Sequence, residues 1–179
     1  MVKIVQKFKI ENKEIIFRYP KEKDAPDMVK LVSSFVEEKA MVGQDKKPTL
    51  KEIKETLDKK LKGIKNKKIV YLVVEVDKKV KGRAWVGAKD YPQKHIGNLV
   101  IHLSSELRSK GIGDKLMKAV IKEAKKILKV RMITLAVMVQ NKPAIGLYKK
   151  NGFIKNGLLK NGLDYYGKLV DDVLMVKYL

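Results

Sequence analysis

The stretch Arg108-Ser109-Lys110-Gly111-Ile112-Gly113 decides how this chain is read. An apolar, strand-like run from Ile96 to Leu103 leads into it. An amphipathic, helix-like run from Asp114 to Leu128 leaves it. Glycines let a main chain come close to a ligand, and the unpaired N–H groups of a starting helix converge on one point. Strand, glycine-bearing loop and helix in that order make a backbone seat for an anion. Such a seat implies a phosphate-bearing cofactor. The dinucleotide pattern G-x-G-x-x-G is absent, and so is the phosphate loop that ends in Gly-Lys-Ser/Thr.

The pattern on either side predicts a mixed α/β domain. Val2–Ile10 and Glu14–Tyr19 flank Glu11-Asn12-Lys13 and read as a hairpin. Asp24 or Asp27 caps a helix running to about Lys39, with Met28, Leu31, Val32 and Phe35 at helical spacing. Thr49 and Glu52 form a capping box for a second helix, which runs to about Lys62. Ile69–Val76 and Val80–Gly87 are strands around a tight Asp77-Lys78-Lys79 turn. Gly97–Leu103 is a nearly all-apolar central strand. Beyond the loop follow the helix, a buried strand Met132–Val139, a short helix Pro143–Lys149, and closing strands at Phe153–Ile154 and Val173–Tyr178. One domain, residues 1–179, accounts for the whole length.

Composition narrows the chemistry. The chain has 45% hydrophobic and 34% charged residues, the balance of a soluble protein. No apolar run approaches the ~20 residues that span a bilayer. The start, Met1-Val2-Lys3-Ile4, lacks a signal peptide's apolar core, so the cytoplasm is expected and no membrane partner. There is no cysteine, which excludes disulfides, thiolate metal sites and a cysteine nucleophile. His95 and His102 cannot fill a four-ligand zinc site, and no metal is expected. The formal charge is +21, yet only four of the 41 basic residues are arginines. Nucleic-acid readers rely on arginine for bidentate contacts, so a solvated lysine-rich surface is favoured over a nucleic-acid partner.

Arg108-x-x-Gly111-x-Gly113 resembles the Gln/Arg-x-x-Gly-x-Gly/Ala signature of the GCN5-related N-acetyltransferases, the GNAT superfamily. The segment Asn141-x-x-Ala144-Ile-Gly-Leu-Tyr148-Lys-Lys-Asn-Gly152-Phe153 is similar to that family's second signature. Asp171-Asp172-Val-Leu-Met175 is similar to its last strand. Many members carry proline where this chain has Ser105, a difference that affects the turn and not the chemistry. The resemblance implies a mixed, mostly antiparallel sheet with helices on both faces and acetyl-CoA as co-substrate. The backbone N–H groups of Ser109, Lys110, Gly111, Ile112, Gly113 and Asp114 are then expected to hold the pyrophosphate, and Arg108 to contact the cofactor or support the loop. Leu103 is expected to pair by main chain with the pantetheine arm near Val137. Asn141 is expected to bond the arm or a water, and Tyr148 to protonate the departing thiolate. Acetyl transfer to a primary amine by direct attack in a ternary complex follows as the expected activity.

The general base is not written in these motifs. Gly97 and Leu99 stand where some relatives carry a glutamate or histidine. His102 has the opposite strand parity and reads as structural. Glu75 is a further candidate, and a water relay is the default expectation. Ala40–Pro48 and the loop Lys160–Lys168 shape the acceptor site in this family. They hold Gln44, Asp45, Asp164, Tyr165 and Tyr166, groups suited to an amine cation on a small molecule, peptide or protein. The alternatives are a nucleic-acid-associated basic protein and a catalytically inactive acyl-CoA-binding module. A homodimer is a further option.

Overall fold

The β-branched run Ile69–Val76 builds the middle of an eight-stranded sheet in the computed structural model, which describes residues 3–179. The strands are β1 (Ile4–Ile10), β2 (Lys13–Arg18), β3 (Ile69–Val76), β4 (Lys79–Ala88), β5 (Ile96–Leu103), β6 (Met132–Met138), β7 (Ile154–Tyr165) and β8 (Lys168–Tyr178). Their order in the sheet is β1-β2-β3-β4-β5-β6-β8-β7. Only β5 and β6 run parallel, and the other neighbours are antiparallel. Three hairpin turns, Glu11-Asn12, Asp77-Lys78 and Tyr166-Gly167, each place two consecutive residues at positive φ. That backbone twist matches the twist of paired strands.

The sheet separates two apolar layers. Helix α3 (Ile112–Leu128) lies on one face, with Leu116, Met117 and Val120 against Leu72, Val74, Val86, Leu99, Ile133 and Leu135. Helices α1 (Ala25–Glu37) and α2 (Leu50–Lys65) lie on the other, with Phe35, Leu31 and Leu57 against Tyr71, Val73 and Trp85. The short helix α4 (Lys142–Lys150) follows β6. Helices α1 and α2 pack on β3 and β4, and Phe35 of α1 covers His102 at the end of β5, so an open strip is left on the same face of β5 and β6 before it. Asn98 and Ala136 are exposed there, and Val100 and Thr134 are half-buried.

The expected elements are present, with three corrections. Residues 160–168 are not a loop: they continue the long β7–β8 hairpin. Most β7 side chains are exposed, so this strand lacks the apolar alternation that marks a half-buried one. Its pairing rests on the backbone ladder to β8. Neither aspartate caps α1 by its side chain: Asp24 accepts from Arg18 and the Lys21 N–H, and Asp27 accepts from the Val80 N–H. Helix α2 runs one turn past Lys62, to Lys65. The Thr49–Glu52 capping box is formed, with both reciprocal bonds in place. Val2, at the start of the first expected strand, lies outside the described residues.

Candidate active site

Parting strands create the site. β5 and β6 pair only at Ile96–Met132, Gly97–Ile133 and Asn98–Thr134. Both strands then continue, to Leu103 and Met138, without pairing. A wedge-shaped gap opens between them, with unpaired backbone on both walls.

The loop 108–113 sits at the wide end of the gap. Ser109 and Gly111 adopt positive φ (60° and 72°), which turns the chain sharply into α3. The first helical bond joins the Lys115 N–H to the Gly111 carbonyl, so the N–H groups of Ile112, Gly113 and Asp114 have no helical partner. No atom lies within 4 Å of where a Cβ on Gly111 would stand. At Gly113 a Cβ would come within 3.3 Å of Leu147, so glycine lets α3 and α4 approach. Ile112 anchors the loop in the core at 1% exposure. Free N–H groups, positive φ and open space together fit a pyrophosphate.

The side chains of the loop are fastened elsewhere. Arg108 donates its Nε to the Leu103 carbonyl at 3.0 Å and grips both oxygens of Glu38 with its fork. It therefore ties the loop to the end of α1 and occupies one side of the carbonyl expected to meet the pantetheine arm. Lys110 pairs with Glu11 at 2.6 Å. Asp114 turns away to Lys118 (2.7 Å) and to Asn151 Nδ2 (2.9 Å), and these bonds hold its pKa below the usual carboxylate range. Asn141 caps α4 through Ala144 N–H and donates Nδ2 to the Met41 carbonyl at 3.2 Å.

Tyr148 on α4 is 7% exposed and packs edge-on to Phe153, with ring centroids 5.8 Å apart. Burial pushes its pKa up to about 12. Its hydroxyl is not among the buried, unpartnered polar atoms. The ring lies on the α3 face, with Val137 in the same apolar layer.

The candidate bases fall out in different ways. His102 lies on the α1–α2 face, between Phe35 and Trp85. Burial, then the charges of Arg83 and Arg108, hold its pKa down to about 3. Glu75 is bound to Arg18 Nε at 2.6 Å and is structural. Gly97 has no room for a side chain: a Cβ would meet Val86 Cγ1 at 2.6 Å and Ile133 Cδ1 at 3.0 Å. Asp164 accepts the Gly167 N–H in its turn. Tyr165 and Tyr166 donate to the Lys39 and Val36 carbonyls, which draws the β7–β8 turn over the end of α1.

Sequence reasoning missed Asp172, Glu38 and Asn151. Asp172 pairs with Met138 in the ladder and shares a face with Leu174, opposite Ala136. It lies beside the uncovered strip of β5 and β6, and burial raises its pKa. The signal was its parity: Val173 and Met175 point into the α3 layer, so Asp172 points to the other side. Glu38 and Asn151 carried no signal, since their partners Arg108 and Asp114 are distant in sequence.

Comparison with known proteins agrees with this geometry. The acetyltransferase (GNAT) family matches residues 34–153, over half of the chain. The chain belongs to that family, and its fold is that of the family's solved acetyltransferases. A ribosomal-protein-alanine N-acetyltransferase from Brucella melitensis superposes with a TM-score of 0.81 at 25% identity, over 91% of this chain and 99% of that one. A GNAT-family acetyltransferase from Streptococcus pneumoniae gives 0.81 and 25%, over 92% and 99%. The L-amino acid N-acetyltransferase AaaT of Escherichia coli (strain K12) is 34% identical over 86 residues, 48% of this chain and 53% of that protein. The chain thus spans about half the length of that curated relative. No helix among the described residues is long and apolar enough to cross a membrane.

Proposed function

We propose that the protein is an N-acetyltransferase that takes acetyl-CoA as donor and a primary amine as acceptor, with direct attack in a ternary complex. The observation that carries this reading is the gap between β5 and β6, with free N–H groups at one end and Tyr148 on the flank. Acetyl-CoA, when bound, supplies an acetyl group activated as a thioester.

The chain's residues divide the work. The N–H groups from Ile112 to Asp114 hold the pyrophosphate, and unpaired backbone of β5 orients the arm and polarises the thioester carbonyl. Tyr148, with a pKa well above a free thiol's ~8.5, stays protonated and donates a hydrogen bond to the leaving sulfur. An alkylammonium titrates near ~10.4 and must lose a proton before it attacks. Asp172 faces the open strip, holds the ammonium and passes its proton to solvent. With no cysteine in the chain, the acetyl group is not parked on a thiol.

The test is an amine panel of free amino acids, polyamines and peptides, with release of free CoA as readout. One acceptor with sustained turnover supports the reading. Binding of acetyl-CoA with no turnover on any amine overturns it in favour of an inactive acyl-CoA-binding module. A salt-dependent shift with RNA and no acetyl-CoA binding favours the nucleic-acid reading. Gly111→Trp fills the open space before the loop and is expected to weaken acetyl-CoA at least ~tenfold by calorimetry, about 1.4 kcal/mol.

A further inference from the structure

The open strip of β5 and β6 has a wall that carries two cations and no acid. Arg83 on β4 and Lys60 on α2 both stand against the ring of Trp85. Lys60 Nζ is 4.5 Å from the ring centroid, and the Arg83 guanidinium carbon is 5.4 Å away. Both residues are half-buried. Arg83 Nε reaches the neutral His102 Nδ1 at 3.4 Å, and its guanidinium stands against the Tyr71 hydroxyl, so both of these neighbours are uncharged. The acids of this side are already engaged, Asp24 and Glu75 by Arg18 and Glu38 by Arg108. Burial, then the charge of Arg83, pushes the Lys60 pKa down. Two neighbouring cations that lose hydration without gaining a counter-ion are unfavourable until an anion arrives.

We propose that Lys60 and Arg83 bind a carboxylate of the acceptor, so that the substrate is a small amino acid whose amine and carboxylate are neighbours. The proposal rests on the acetyltransferase reading above. Arg83 and Trp85 pair with His102 and Val100 across β4 and β5. Strands lie about 4.8 Å apart, so the Arg83 backbone stands one strand width from β5 at the border of the gap, and Lys60 reaches the same Trp85 ring from α2. An α-amino acid bridges that distance with the help of a long arginine or lysine arm. Asp172 stands on the far side of β6, so the strip carries the two cations at one border and a carboxylate at the other. Trp85, Val100 and Ala136 offer an apolar floor to the amino acid's side chain.

The test uses N-acetyl-L-leucine and N-acetyl-L-leucinamide, titrated by calorimetry into the protein with CoA present. The carboxylate is expected to bind at least ~tenfold more tightly than the amide, about 1.4 kcal/mol. Lys60→Gln and Arg83→Gln should each shrink that ratio, and Lys60→Glu should invert it. Lys60 lies on the outer part of α2, so its variants keep the experiment readable if Arg83→Gln melts early. Equal affinity for the two probes, or a ratio that survives both neutral variants, overturns the proposal. So does faster acetylation of a leucine-initiated hexapeptide than of free L-leucine. If carboxylate preference is found but no amine of the panel above releases CoA, the acetyltransferase reading falls and the carboxylate site stands.

Discussion

Removing one oxygen from Tyr148 separates its packing from its proposed part in the chemistry. The ring fills the core beside Phe153, and the hydroxyl has no part in that packing. Tyr148→Phe is therefore expected to leave the melting temperature and acetyl-CoA affinity nearly unchanged. kcat should fall by about 10²-fold, the low end for a lost proton or hydrogen-bond donor. Steady-state kinetics with a calorimetric Kd checks it, and an unaltered kcat removes Tyr148 from the chemistry. His102 makes a second prediction, on stability. Its pKa is about 3 when folded and near ~6.5 when unfolded. The unfolded chain thus binds more protons between those values, and stability is lost as pH falls below ~6.5. The slope contributed approaches ~1.4 kcal/mol per pH unit for one proton. His102→Gln should flatten urea midpoints between pH 6.5 and 4 relative to the wild type, and parallel curves would contradict this account.

Elements here are joined by polar contacts that no local pattern announces. Arg18, only 5% exposed, bonds Asp24 with its fork at 2.8 Å and Glu75 with Nε at 2.6 Å, linking β2, the start of α1 and β3. Arg18→Leu strands two shielded carboxylates and is expected to cost about 3–5 kcal/mol in denaturant unfolding. A loss below ~1 kcal/mol would show that water satisfies them. In the sequence, Glu75 looks like a solvated strand residue or a base, because Arg18 is 57 positions away. By contrast, the loop 108–113, the helix after it and the strands around Asp77-Lys78 are legible, since their signals are local: glycine, apolar period and turn chemistry. The gap between β5 and β6 is not legible, because register between distant strands is a tertiary property. Strand β7 fails for the opposite reason, since its exposed polar side chains hide a regular ladder. Gly97 was visible as a missing base, and the reason lies in the crowding of Val86 and Ile133 around it.

At the scale of the molecule, the segment between α1 and α2 is tied down from several directions. Tyr165 and Tyr166 hold the Lys39 and Val36 carbonyls, Asn141 holds Met41, and Arg108 holds Glu38. The double variant Tyr165→Phe/Tyr166→Phe should speed hydrogen exchange of the amides in residues 36–49 by about tenfold. Exchange in α3 should stay at its wild-type rate. Equal protection in wild type and variant would mean that these bonds do not restrain the segment. The short pairing of β5 with β6 then acquires a mechanical meaning. Three ladder pairs and the Arg131 N–H bond to the His95 carbonyl, all at one end, join a five-stranded slab, β1–β5, to a three-stranded slab, β6, β8 and β7. At the far end the slabs touch through Asn141–Met41, Tyr165–Lys39, Tyr166–Val36 and Asn151–Asp114. Helix α3 clamps the two slabs together, with Leu116, Met117 and Val120 in one core with Leu72 and Val86 of the first and Ile133 and Leu135 of the second. In the proposed function donor and acceptor both reach the gap that this short join leaves, so a change in its width would act on both at once.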